Sequence, residues 1–168
     1  MKQKMTPSQF ERLVRDERKG LLGYACYRLG NPDDAEDVVQ DVLVQFHHQL
    51  SERNADIRRP QAWLYRALAN LCVSRLRKGE RIPTVPLDGQ PEPAVPEAED
   101  FEQEFRRISR LLDEIPEEQA EVIRLRFYGD KSFREIADIV GIPLTTAKSR
   151  FTYGLEKIRQ GMRAPLAV

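Results

Sequence analysis

Near the C-terminus, the run "PLTTAKSRFTYGLEKIRQ" sets Thr145, Thr146, Ser149 and Thr152 beside Tyr153 and two cations, Lys148 and Arg150. Short hydroxyl side chains let a helix come close to a nucleic-acid groove and hydrogen-bond base edges or phosphates, while flanking cations meet the phosphates on either side. On a helix turning about 100° per residue, Leu144, Ala147, Phe151, Leu155 and Ile158 share one inward arc. The hydroxyl residues and Tyr153 then face outward, with Lys148 and Arg150 on the two flanks. Hydroxyl residues are poor helix formers, so propensity did not choose them. Lys131 and Arg134, just upstream, extend the cationic edge. The surface is suited to reading duplex DNA.

The elements that carry this face read as a helix-turn-helix. In "SFREIADIVGIPLTTAKSRF", Phe133, Ile136, Ala137 and Val140 form an apolar stripe on a short helix that Ser132 can cap. Gly141 supplies a turn position suited to positive φ, and Ile142 plugs the corner between the two helices. Upstream, Thr6-Pro7 starts a first helix that runs to about Leu29 and closes at Gly30. Asn31-Pro32-Asp33-Asp34 opens a second: a capping side chain, proline in the first turn and acids at the positive end of the dipole. Ala35, Val38, Val39, Val42, Leu43, Phe46 and Leu50 make its buried stripe. A third helix runs from Pro60 to about Gly79, with Leu64, Ala67, Leu68, Leu71, Cys72 and Leu76 inward. A helix from near Phe101 to about Glu114 and another from Pro116 to before Gly129 lead into the helix-turn-helix. No strand alternation and no internal repeat is present, so the fold class is all-α.

The 168 residues balance 27 Lys and Arg against 27 Asp and Glu, but the charge is segregated. From Ile82 to Phe105 there is no cation, and seven acids run from Asp88 to Glu104. From Ile57 to Arg81, seven cations stand against Glu80 alone. The segment 82–100 carries Pro83, Pro86, Pro91, Pro93 and Pro96 among its acids, which reads as an extended, flexible acidic linker between two small lobes. Fully stretched, it reaches at most about 65 Å, close to two turns of B-DNA at about 34–36 Å each. No apolar run approaches the ~20 residues a bilayer span needs, and the charged start "MKQKMTPSQFERLVRDERKG" is unlike a signal peptide, so membrane insertion is not expected and a cytoplasmic protein is. Cys26 and Cys72 lack metal-ligand spacing and sit on apolar helix faces, as buried thiols do. His47 and His48 are adjacent and point apart. Without a nucleophile–base pair, a phosphate loop or a metal cluster, neither catalysis, cofactor nor metal is expected.

Three stretches, in order and covering nearly the whole chain, resemble the extracytoplasmic-function (ECF) sigma factors of bacterial RNA polymerase. The segment "NPDDAEDVVQDVLVQFHH" is similar to their polymerase-binding helix. "PQAWLYRALANLCVSRLRKGER" is similar to the helix that engages the −10 element, and "EIPEEQAEVIRLRFYGDKSFREIADIVGIPLTTAKSRFTYGLEKIR" to the second, promoter-binding domain. The resemblance implies a region 2-like domain over 1–81, a linker over 82–100 and a region 4-like domain over 101–168. It implies docking of Asp34, Asp37, Gln40 and Asp41 on core polymerase. It also implies capture of a flipped non-template base by the loop "SERNADIRRP", where Asn54 and Asp56 can bond a base edge and Arg58 and Arg59 can hold phosphates. Trp63, Tyr65, Arg66, Asn70, Arg75, Arg77 and Lys78 add the cations and aromatic faces that hold single strands; Trp63 borders the core arc and leans toward packing. On the same footing, Lys131, Arg134, Thr145, Thr146, Lys148, Ser149, Arg150, Thr152 and Tyr153 meet the −35 duplex, and an anti-sigma factor masks both lobes. Ser74, Thr145 and Tyr153 replace the Asp, Gly and Arg of many members, so promoter preference does not carry over from relatives.

The expected function is therefore a transcription initiation factor that binds core polymerase and promoter DNA, duplex at −35 and single-stranded at −10. An independent helix-turn-helix regulator that dimerises through its first lobe is the competing reading, and would bind a palindromic duplex unaided. A purely protein-binding helical adaptor would tolerate glutamate at Lys148 and Arg150.

Overall fold

The computed structural model describes residues 4–53, 57–79 and 96–163, without the side chains of 79, 96–102 and 105. Within these residues the chain forms α1 (Pro7–Leu29), α2 (Pro32–Ser51), α3 (Pro60–Gly79), α4 (Pro96–Glu114), α5 (Glu117–Phe127), α6 (Phe133–Val140) and α7 (Leu144–Arg163), and no strand. Local chemistry sets most of the boundaries. Thr6 and Gln9 form a reciprocal capping box at the start of α1 (3.2 and 2.9 Å). The Asn31 side chain accepts from the Asp33 and Asp34 amides at the start of α2. Ser132 and Glu135 make a second capping box at α6. Gly30 and Gly141 end α1 and α6 with φ of 72° and 80°, a conformation that only glycine adopts without strain. The main departure from expectation is α4, which begins at Pro96, so the last residues assigned to the linker are helical. Proline is well placed there, since a helix's first turn needs no amide donors from it.

The first three helices pack on one another. On α2, Val38, Val42 and Phe46 are essentially sealed from solvent, each worth about 1.5–3 kcal/mol of burial. In the second half, α5 lies across α7, while α4 and α6 brace the pair. These halves do not stand apart. α3 packs on α6, and α1 touches α5. One apolar cluster runs through both, joining Leu21, Tyr24, Leu64, Tyr65 and Leu68 to Val122, Leu125, Ile136, Ile139 and Ala147. A smaller cluster of Leu112, Ala120, Ile123 and Ile158 belongs to the second half alone. The periodic stripes identified which faces are apolar; the structure shows that the stripes of α1 and α3 are covered in part by α5 and α6 of the other half. Residues 82–95 of the expected linker lie outside the described residues.

Candidate nucleic-acid interface

The helix-turn-helix presents the face read from its sequence. On α7, Ala147, Gly154 and Ile158 are buried, while Thr145, Lys148, Ser149 and Thr152 are exposed and Tyr153 keeps 65% of its surface. Thr146 and Arg150 are half-buried on its margins. The Thr152 hydroxyl donates to the Lys148 carbonyl at 3.0 Å, which leaves its lone pairs pointing outward as acceptors. Arg134 is exposed on α6, next to the capping box. Burial works to raise the Glu135 carboxyl, but hydrogen bonds from Gln61 and from the Ser132 amide and hydroxyl prevail and hold it below its usual range. α6 is therefore fixed by a charged cap at the pH of the cell.

A second surface lies along α3 and the residues before it. Arg58, Arg59, Trp63, Arg66 and Asn70 line one open groove of about 590 Å³. The Trp63 indole tilts against the buried Phe46 ring, 5.2 Å between centroids, so packing fixes its body while one edge faces the groove. Arg77 and Lys78 are exposed beyond it, and Arg75 is held at 3.3 Å by Asp34. Tyr65 is only 1% exposed; burial pushes its phenol far above the ordinary range, so it stays neutral. Asn54 and Asp56 lie outside the described residues.

On α2, Asp37, Gln40 and Asp41 are exposed along one side. Val44, 60% exposed, continues the same face one turn further on, an apolar residue that the sequence reading passed over. Its spacing of three and four from Asp41 and Gln40 was the available signal.

The chain shares two family signatures with these surfaces. The model "Sigma-70 region 2" matches residues 13–82, and "Sigma-70, region 4" matches residues 111–160. The chain is 32% identical to the ECF RNA polymerase sigma factor RpoE of Cereibacter sphaeroides over 133 residues, 76% of this chain and 72% of the relative. Against the ECF RNA polymerase sigma factor SigW of Bacillus subtilis it is 30% identical over 170 residues, 89% and 87% of the two chains. The chain belongs to the ECF RNA polymerase sigma factors.

As a sigma factor, the protein directs RNA polymerase to promoters, and its partners are core polymerase and promoter DNA. Solved structures share the fold: CnrH in complex with the cytosolic domain of CnrY superposes with a TM-score of 0.64 at 23% identity, covering 94% of this chain and 89% of that one. The sigma factor RpoE in complex with the anti-sigma factor NepR from Bartonella quintana gives 0.58 at 21%, covering 94% and 98%. No helix among the described residues is long and apolar enough to cross a membrane.

Several residues that shape this sigma factor were not singled out from sequence. Glu17 is buried on α1 and takes hydrogen bonds from Lys131 and Gln61, both at 2.8 Å. Gln61 also donates to Glu135 at 2.7 Å. A second network joins Tyr24 and Arg28 of α1 to Glu121 of α5, and Arg124 to Glu117, Glu121 and Asp113. The signal lay in α1, where Glu17 and Arg28 fall in line with Leu21, Tyr24 and Ala25, a charged residue at each end of an apolar stripe. Charges at such positions mark a partner of opposite sign. Lys131, expected at a phosphate, is one of those partners. Cys72 is fully buried and its thiol is pushed up to about 11 by that burial, as befits an inert core residue.

Proposed function

We propose that this sigma factor divides promoter recognition between two surfaces, over the domain limits 1–81 and 101–168 with 82–100 as the tether. The observation that carries this reading is the groove along α3, which gathers Arg58, Arg59, Trp63, Arg66 and Asn70 into one cation-and-aromatic channel. Such a channel holds a single strand by phosphate neutralisation and stacking, and Asn54 and Asp56, adjacent in sequence, read the extruded −10 base. The outward face of α7, Thr145 to Tyr153, enters the major groove at −35, with Lys148, Arg150 and Arg134 on the phosphates. Asp37, Gln40, Asp41 and Val44 form the face offered to core polymerase, with Asp34 held beside it by Arg75. The protein contributes binding energy and no bond chemistry of its own, acts in the cytoplasm where polymerase and promoters are, and is restrained by an anti-sigma factor.

Run-off transcription from a pool of genomic fragments, with core polymerase and with or without this protein, tests the proposal. Discrete new starts sharing two sequence elements are the expected result. Permanganate footprinting then shows an open −10 bubble that Arg58→Ala/Arg59→Ala loses, whereas Thr145 and Ser149 variants change which fragments are chosen. Sequence-independent transcription, or specific binding of a palindromic duplex without polymerase, rejects it.

A further inference from the structure

The groove along α3 does not end at Arg58. Ile57 lines it and also lines a cavity of about 640 Å³ between the start of α1 and the end of α2. That volume falls within the range of about 300–1,000 Å³ that drug-sized ligands fill. The floor is apolar: Met5, Leu13, Leu50 and Ile57 are half-buried there and rest on the main core. The rim is charged. Lys4 and Arg12 are exposed on it, and neither forms an ion pair among the described residues. Asp16 stands on the same rim as an opposing charge. The capping box uses the Gln9 side-chain oxygen on the Thr6 amide at 2.9 Å, which leaves the nitrogen of that side chain as a donor.

An open apolar floor edged by cations suits a single strand, with bases laid on the floor and phosphates met at the rim. Position along the strand follows from α3. The chain leaves this helix after Gly79, at the end that carries Arg77 and Lys78, on its way to the helix assigned to −35. Ile57 lies at the opposite end. A strand that crosses Ile57 therefore runs away from −35, toward the start of transcription.

We propose that the cavity at the head of α1 seats the first nucleotides after the −10 element on the non-template strand, with bases on Met5, Leu13, Leu50 and Ile57 and phosphates on Lys4 and Arg12. The inference rests on the single-strand channel proposed above. A floor of aliphatic and thioether groups carries no hydrogen-bond pattern, and methionine adapts its shape to what it meets. The seat thus adds hold on the opened strand and little choice among bases.

The test uses the full chain bound to core polymerase and forked promoter fragments built on a start found by run-off transcription. In one fragment the non-template strand stops at the last base of the −10 element; in the other it continues for three nucleotides. Fluorescence anisotropy across a salt series gives both affinities. The wild type should bind the extended fragment at least about tenfold more tightly, about fivefold of it from one seated base. Lys4→Ala/Arg12→Ala should cut that gain at least about threefold and flatten its salt dependence by about 1.4, two single-strand phosphates' worth. Asp16→Asn should raise the gain, an effect that loss of folding does not produce. Arg15→Ala, which removes an exposed α1 cation outside the cavity, should match the wild type on both fragments. An abasic extension should keep the salt dependence and bind at least about fivefold more weakly than the intact one. An undiminished gain in Lys4→Ala/Arg12→Ala, or an abasic extension as good as the intact one, overturns the seat and leaves the promoter reading standing. A wild type that binds neither fragment removes the channel and the seat together.

Discussion

The Glu17–Lys131 pair gives the sharpest quantitative test of what joins the lobes. The two atoms lie 2.8 Å apart, and the Lys131 and Glu17 side chains keep only 9% and 12% of their surface. At an effective dielectric of about 20, unit charges at that distance attract by about 6 kcal/mol. Desolvating both ions consumes much of this. What a double-mutant cycle should recover is about 2–3 kcal/mol, against about 0.2–1 kcal/mol for an exposed pair. Glu17→Gln preserves shape and can still accept from Gln61, which donates at 2.8 Å. Lys131→Met preserves the aliphatic stem over Tyr65 and removes the charge. Each single variant leaves one buried ion facing an apolar or neutral partner and should cost about 2–4 kcal/mol, less than the loss of a fully isolated pair because Gln61 and Glu135 remain nearby. The double variant should cost less than the sum by the coupling energy. The assay is urea unfolding of all four proteins by far-UV circular dichroism, with coincident tryptophan fluorescence as the check on two-state behaviour. Repeating it in 1 M salt should change the coupling little, since buried pairs are weakly screened. A coupling below about 0.5 kcal/mol refutes the claim that this pair is a buried tie between the lobes.

Other measurements address the remaining surfaces. Lys148→Ala should weaken holoenzyme binding to all promoters alike and flatten the dependence of log affinity on log salt by about 0.9, one phosphate contact's worth. Val44→Glu should abolish capture by core polymerase while moving the unfolding midpoint by no more than about 0.5 kcal/mol, the usual range for an exposed substitution. Ile136→Ala removes a fully buried side chain shared by both lobes and should destabilise the chain by about 2–5 kcal/mol in urea. At pH 8, a thiol reagent should label half-buried Cys26 in the folded protein and reach Cys72 only on unfolding, because Cys72 is sealed and its thiol is pushed up to about 11; equal labelling rates would contradict its burial.

Much of the architecture was legible in the sequence because the determinants are local. Thr6, Asn31, Ser132, Gly30 and Gly141 set helix ends through atoms a few residues away. The outward face of α7 followed from 3.6-residue periodicity and from hydroxyls that no core position would keep. The α4 start was misplaced because Pro96 was counted among the linker prolines, although proline breaks a helix interior and begins one equally well. Trp63 bordered the core arc and lies against Phe46, on the side where periodicity placed it.

The chain's order of residues thus determined the seven helices of the described residues, their apolar stripes and the exposed faces proposed here for DNA. Only the tertiary structure decided which stripe covers which. Lys131 and Glu17 are 114 positions apart, and nothing in their neighbours names the other as partner. Their meeting depends on two glycines that remove Cβ atoms from α1 and on a loop whose backbone fits the space left. Complementarity of that kind is a property of two surfaces at contact distance, whereas periodicity and capping are properties of a single segment.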